Sequence, residues 1–447
     1  MNQPQTAQMP QRPHSQTPEK PRPASRAGDP NRYQDMKFAY VMSRFPKISE
    51  TFVLYEILAL MEKGIRVEVF PLIRERQPVA HEGVKQVMPH VHYLPMFSAA
   101  ILLAHIYFLF RKPLTYLGLL LEMMIGSIRS PKYFTKSVAL FPKIVRFAYE
   151  MKQLGIGHIH AHFATHPAFA GYVIHKLTGI PYSFTAHGSD IHKHLHRYGL
   201  ARKVAAADFV RTISDYNKAF IVEHCGGRFE EKIEMIHCGI DKQVFASPPH
   251  HPRETHPFTI ICVASYEKVK GHAYLIEACR KLKAQGVDFR CHLVGDGPLR
   301  EAVGQEIRDA GLGDNFIIHG PLKREQVAEL LQQSDVKVLP SFQTETGERE
   351  GIPVALMEAM AVELPVVSSL VSGIPELVDQ DAAGILVAQQ DAEGLFQALL
   401  RLQRDPELRR RMGKAGREKV FREFDLKENA AELLELLVLS ASKSGSH

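Results

Sequence analysis

The chain has 447 residues, of which 45% are hydrophobic, 9% aromatic and 23% charged, with a formal net charge of +6. At about 150 residues per domain, this length suggests two or three units, each able to bury its own core. The balance excludes collagen-like, mucin-like, disulfide-rich and wholly disordered chains.

Five cysteines (Cys225, Cys238, Cys262, Cys279, Cys291) form no CxxC pair, and an odd set of this kind fits a reducing compartment. Residues 1–255 hold 32 Lys+Arg against 20 Asp+Glu, whereas residues 256–447 hold 23 against 29. A basic front half and an acidic back half suggest two units facing different partners. Nucleic acid and an anionic membrane surface are the candidates for the basic half. Its lack of clustered aromatic-basic motifs argues against nucleic acid.

Residues 1–35 contain seven prolines and almost no large apolar side chains, so this segment predicts a disordered tail. It has no apolar run of the signal-peptide type. From Met36 the chain alternates β-branched runs with helical stretches. Residues 37–42, 65–73, Ile156–His162, Tyr182–Ala186, Phe209–Ile213 and Lys232–His237 predict strands, with a helix over Ser49–Glu62. A second series follows at Phe258–Ala264, Phe289–Val294, Asn315–His319, Val336–Pro340 and Pro365–Ser368, with helices such as Ala273–Gln285 and Gln326–Leu331. Strands alternating with helices imply right-handed βαβ units and parallel sheets. The Pro/His-rich stretch Ser247–Pro252 reads as the joint between a first domain over 36–250 and a second over 256–425. A last helix over Leu426–Val438 is placed to cross back to the first domain.

One segment breaks the alternation. Residues 94–128 are very apolar, but Arg111-Lys112-Pro113 interrupts them, and each half is shorter than the roughly 20 residues of a spanning helix. Residues 94–152 carry eight Lys/Arg and two Glu. This pattern fits either a helical hairpin lying on an anionic bilayer or a buried helix pair of the first domain.

The densest chemical signal is Arg349-Glu350-Gly351-Ile352-Pro353-Val354-Ala355-Leu356-Met357-Glu358-Ala359-Met360, which follows a strand. Eight positions are slightly more than two helical turns, so Glu350 and Glu358 can share a side. Pro353 suits a first helical turn. A helix start offers free N–H groups and positive potential to a phosphate, and carboxylates beside such an anion site suit sugar hydroxyls. Two further strand ends point the same way. Ser265 to Lys270-Gly271 places a cation in a strand-to-helix turn, and Gly295-Asp296-Gly297-Pro298 forms a tight turn. Ligands of open parallel sheets bind beyond such strand ends. In the first half, His187-Gly188-Ser189-Asp190 follows a strand, and His187 is expected to face the crevice. His160 and His162 read as structural histidines, and Asp379-Gln380-Asp381 as a loop rather than a metal motif.

The Glu350/Glu358 segment, the following Pro365-Val-Val-Ser368 and Ser372-Gly373-Ile374-Pro375-Glu376, and the Lys270-Gly271 turn resemble the retaining glycosyltransferases of family 4. The stretches HIHAHFA, TAHGSD and SRFPKISETF are most similar to the exopolysaccharide branch that includes colanic acid and amylovoran glycosyltransferases. The resemblance covers about residues 37–438. It implies an α/β GT-B fold, two Rossmann-like domains with parallel sheets facing each other across a cleft, and no catalytic metal. By this resemblance, Glu350 would hold hydroxyls of the donor sugar and Glu358 those of the ribose. Backbone groups of Gly351, Ile352, Pro353 and Val354 would meet the sugar and diphosphate, and Lys270 beside Gly271 would neutralise the diphosphate. His187 would meet the sugar, Asp190 would shape the acceptor side and Leu322 would contact the base. Ser265 stands where many relatives have Arg, and Phe45-Pro46-Lys47-Ile48 replaces a glycine pair in the first turn.

The implied activity is transfer of a hexose, with retention, from a UDP- or GDP-sugar to a lipid-linked oligosaccharide. It would take place in the cytoplasm, peripherally on the inner face of the cell membrane. A nucleotide-sugar epimerase of the same fold and a non-catalytic nucleotide-sugar-binding module are the competing readings.

Overall fold

The computed structural model describes residues 33, 36–47, 50–75, 83–95, 98–127, 131–193, 199–245 and 257–444. The proline-rich tail, apart from Tyr33, and the Ser247–Pro252 joint lie outside these residues.

Twelve strands form two parallel sheets of six among the described residues. The first sheet contains β1 (Lys37–Phe45), β2 (Arg66–Arg74), β3 (His158–His162), β4 (Tyr182–Ala186), β5 (Phe209–Thr212) and β6 (Ile233–Met235), in the order β2-β1-β3-β4-β5-β6. The second contains β7 (Phe258–Val263), β8 (Phe289–Val294), β9 (Phe316–Gly320), β10 (Val336–Leu339), β11 (Val366–Ser369) and β12 (Gly384–Val387), in the order β12-β11-β10-β7-β8-β9. Both orders reverse beside the first strand of the sheet. That switch point is where a parallel sheet opens a crevice at its carboxyl edge. β12 was not anticipated: it is only four residues long and sits directly behind the polar turn at Asp379–Asp381, which hides it. β6 is shorter than the run Lys232–His237 suggests, because residues 230–232 form a 3-10 turn.

The apolar segment resolves into helices Ala99–Arg111 and Pro113–Ser127, followed by the long helix Pro131–Leu154. Ser98 caps the first, accepting from the Ile101 N–H, and Pro113, which cannot donate an N–H, opens the second. One face of this segment is buried, as the buried-pair alternative expects. Ile101, Ala104, Phe108, Tyr116, Leu119 and Met123 are buried in the first domain's core with Phe141, Ile144 and Phe147. The opposite face is also apolar, with Leu102, Leu103, Leu117 and Leu121 exposed, Phe110 82% and Leu114 86% accessible. No described helix is long and apolar enough to cross a membrane.

The terminal helix Leu426–Ser444 buries Leu433, Leu434 and Leu437 among Phe38, Tyr40, Val53, Leu54 and Ile57 of the first domain. The two stretches of chain that join the domains meet side by side. The Ile240 N–H donates to the Phe424 carbonyl (2.9 Å), and the Leu426 N–H donates to the Ile240 carbonyl (3.0 Å).

Candidate active site

The site grows from strand ends that face each other across the two domains. After β7 the chain makes a 3-10 turn, Lys268–Lys270, and enters helix His272–Ala284 through Gly271. Gly271 adopts φ +72°, and a Cβ there would lie 2.0 Å from the Pro340 carbonyl oxygen at the end of β10, so only glycine fits. The close approach brings Lys270 beside the segment that follows β10. Its Nζ sits 2.5 Å from Glu350 Oε1, with both side chains largely covered. The protein without ligand therefore stores the two charges as a pair.

Glu350 is followed by Gly351, Ile352 and Pro353, and the helix spans Val354–Ala361. Pro353 is the residue before the first turn rather than inside it, with φ −72° and ψ 119°. The first N–H groups of this helix remain available to an anion. Glu358 lies inside the helix, with Arg324 Nε 3.7 Å from its Oε1. Burial pushes the Glu358 carboxyl up, opposed by the charges of Arg324 and Lys337. Leu322, just after β9, is half-buried against the second domain's core. Ser265 bonds Glu267 Oε2 (3.0 Å) at the surface.

Across the gap, His187 and Gly188 follow β4. A Cβ on Gly351 would lie 2.1 Å from the His187 carbonyl oxygen, and one on Gly188 would lie 3.0 Å from the Gly351 nitrogen. Glycine against glycine thus lets the two domains touch at this point. The His187 imidazole does not face the crevice, as the sequence reading expected, but turns inward. Its Nε2 is 3.1 Å from His162 Nδ1 and its Nδ1 is 3.9 Å from Cys238 Sγ, and Phe52 and Phe163 flank the ring. The backbone carbonyl is what this residue presents to the other domain.

Asp190 ties its own loop to the one after β3, accepting from the N–H groups of Ala164 (2.7 Å), His187 (3.0 Å) and Gly188 (2.7 Å). It shapes the turn through the backbone.

Several contacts here escaped the sequence reading. Arg324 is stacked between Tyr55 of the first domain and Phe245, 4.4 and 4.9 Å from the ring centroids. Lys337 is fully buried in β10 and donates to the Val263 carbonyl (3.2 Å), with desolvation lowering its pKa to about 8. Glu376 accepts the N–H groups of Asp215 and Tyr216 (2.8 Å each) at the start of a first-domain helix, Asp215–His224. Arg349 bonds the Tyr216 hydroxyl, and Lys193 pairs with Glu348 (2.6 Å). The available signal was a charge inside an apolar run, such as Lys337 in Val-Lys-Val-Leu or Glu56 in Val-Leu-Tyr-Glu-Ile-Leu.

Glu56, His160 and His162 offer ligand atoms within 4.8 Å of one another. Arg211 bonds the Glu56 carboxylate, while the two His160 nitrogens bond the hydroxyls of Ser183 (2.8 Å) and Thr185 (2.8 Å). These contacts join the group into a hydrogen-bonded network.

Two family models match consecutive parts of the chain: Glycosyltransferase Family 4 over residues 124–244 and Glycosyl transferases group 1 over 245–419. The putative colanic acid biosynthesis glycosyltransferase WcaL of Escherichia coli K12 is 31% identical over 430 residues, covering 90% of this chain and 99% of WcaL. The chain belongs to glycosyltransferase family 4. Within the family, this glycosyltransferase also matches the amylovoran biosynthesis glycosyltransferase AmsK of Erwinia amylovora, at 31% identity over 421 residues, 90% of this chain and 99% of AmsK. Its fold is GT-B. Anabaena HepE, solved in complex with UDP, superposes with a TM-score of 0.66 at 15% identity, over 90% of this chain and 99% of HepE. A glycosyltransferase from Rickettsia africae superposes with a TM-score of 0.63 at 16% identity, over 91% and 99%. The enzyme is thus an exopolysaccharide-type glycosyltransferase.

Proposed function

We propose that the enzyme transfers a hexose from a nucleoside-diphosphate sugar, UDP- or GDP-linked, to a lipid-linked oligosaccharide, with retention at the anomeric carbon. The observation that carries the donor half is the meeting of Lys270 with Glu350 at the start of helix Val354–Ala361, with Glu358 further along it. HepE, of the same fold, was solved with UDP and with UDP-glucose. Lys270 and the free N–H groups of that helix supply positive charge where the diphosphate accumulates negative charge as its bond to the sugar breaks. Glu350 accepts hydroxyls of the sugar, Glu358 those of the ribose, and Leu322 covers the base. The acceptor hydroxyl attacks the anomeric carbon on the face the diphosphate leaves. Its proton passes to the departing phosphate oxygen, so charge and atoms balance without an enzymic nucleophile. No metal is assigned to this step, and EDTA is expected to leave turnover unchanged.

The acceptor half rests on the uncovered apolar face of helices Ala99–Arg111 and Pro113–Ser127, with Arg111 and Lys112 between them. Such a face suits the acyl boundary of an anionic leaflet, where a lipid-linked acceptor is held. The enzyme then works peripherally on the cytoplasmic side, where five free, buried cysteines are at home.

The test is a panel of UDP- and GDP-sugars read by thermal shift and by turnover. One donor should raise the melting temperature and yield a product with unchanged anomeric configuration by NMR. Inversion, or no response to any nucleoside diphosphate, overturns the reading.

A further inference from the structure

We propose that Glu56 is a positioning residue: through His162 it fixes the His187 imidazole and thereby the place of the His187–Gly188 turn against Gly351. This rests on the reading of that face as the active-site face. None of Glu56, His162 or Arg211 belongs to the donor site described above.

Glu56 projects from the first helix of the chain, Thr51–Glu62, into the sheet, and all of its partners are buried. Arg211 of β5 bonds Oε2 and is itself fixed by the carbonyls of Ile236 (3.1 Å) and His237 (2.8 Å). The Tyr40 hydroxyl donates to Oε1 (2.9 Å), and His162 Nε2 lies 3.1 Å from the same oxygen. Arg211 and His162 outweigh the desolvation of the Glu56 carboxyl and hold it well below the usual carboxylate range. An ionised carboxylate only accepts, so His162 presents a proton on Nε2, and the proposed chain has its Nδ1 as an acceptor. His187 Nε2, 3.1 Å away, is then the donor to His162.

The remaining His187 nitrogen, Nδ1, faces Cys238. Desolvation pushes this thiol up to about 12, so it keeps its proton and can donate. Each link sets the tautomer of the next. Phe52 and Phe163 flank the ring, and the carbonyl that meets Gly351 belongs to the same residue. A simple packing histidine would need none of this chain.

Two measurements on the full-length enzyme test it. In ¹⁵N-histidine spectra, His162 and His187 should both carry a proton on Nε2 with Nδ1 unprotonated, and His187 should not titrate between pH 6 and 8. A His187 proton on Nδ1, or its titration in that range, overturns the proposal. In kinetics, His162→Gln should lower kcat for nucleoside diphosphate release from UDP-glucose or GDP-mannose by about 30-fold, with donor KM within about threefold. Because Glu56→Gln strands the buried Arg211 charge, the double variant Glu56→Gln/Arg211→Met is the second probe, with the same kcat loss expected in folded protein. Wild-type kcat in either folded variant, or a loss matching only the unfolded fraction, overturns it. If wild type turns over neither donor, the reading of the active-site face falls and takes this proposal with it; the spectra test the tautomer chain separately.

Discussion

Glu350 shows how far one residue can be argued. It pairs with Lys270 in the ligand-free protein and accepts sugar hydroxyls in the proposed complex, so Glu350→Gln should leave the fold intact. Turnover should drop at least 100-fold, on the order of 3 kcal/mol of transition-state stabilisation, as measured by donor consumption alongside a melting curve. Gly351→Ala tests the interdomain contact, because its Cβ would lie 2.1 Å from the His187 carbonyl oxygen. Activity should fall about 100-fold or more, although the second domain alone has room for a methyl group at a loop position; steady-state rates check this. That Glu350, Lys270 and Gly271 lie together at strand ends and a helix start was legible in the sequence, because a strand-to-helix turn restricts where its residues can sit. The direction of the His187 ring was not. A residue at a strand end can turn its ring either way, and the choice here is made by His162 and Glu56, which lie 25 and 131 positions away in the chain.

Among the elements, the parallel sheets followed from β-branched runs separated by helical stretches, whereas the order of strands within each sheet came only with the structure. β12 did not follow in this way, since four apolar residues behind a turn resemble loop as much as strand. The helical hairpin was legible as apolar and basic, but composition could not say which face was buried. A helix apolar on both sides has no amphipathic direction to read. Its outer face gives a clear expectation: the enzyme should float with vesicles containing an anionic lipid. Replacing Leu103, Phe110 and Leu114 by serine should weaken this at least tenfold. These side chains are exposed, so the melting temperature should move by only a few degrees, with flotation and calorimetry as the two readouts. Equal binding to neutral vesicles would instead assign the attraction to apolar contact alone.

At the scale of the molecule, the two domains are held together by Glu376 on the N–H groups of Asp215 and Tyr216, with Lys193–Glu348 and Arg349–Tyr216 beside it. Desolvation raises the Glu376 pKa to about 7, reinforced by Asp215 and opposed by the two N–H groups and Lys419. When the domains part, water returns and the pKa falls toward its ordinary value of 4.5. Closing therefore takes up a proton, so the closed arrangement is favoured at acid pH and weakens as pH rises through about 7. Interdomain distances from small-angle scattering at pH 5.5 and pH 8 should differ in that direction, and Glu376→Gln should remove the difference.

The terminal helix carries a different consequence. Because the chain crosses between the domains at two adjacent points bonded to each other, opening is confined to rotation about one axis, as with a door on paired pins. The front domain's core also needs Leu433, Leu434 and Leu437, which follow the whole second domain in the chain. Completion of that core is thereby postponed until the second domain has been made.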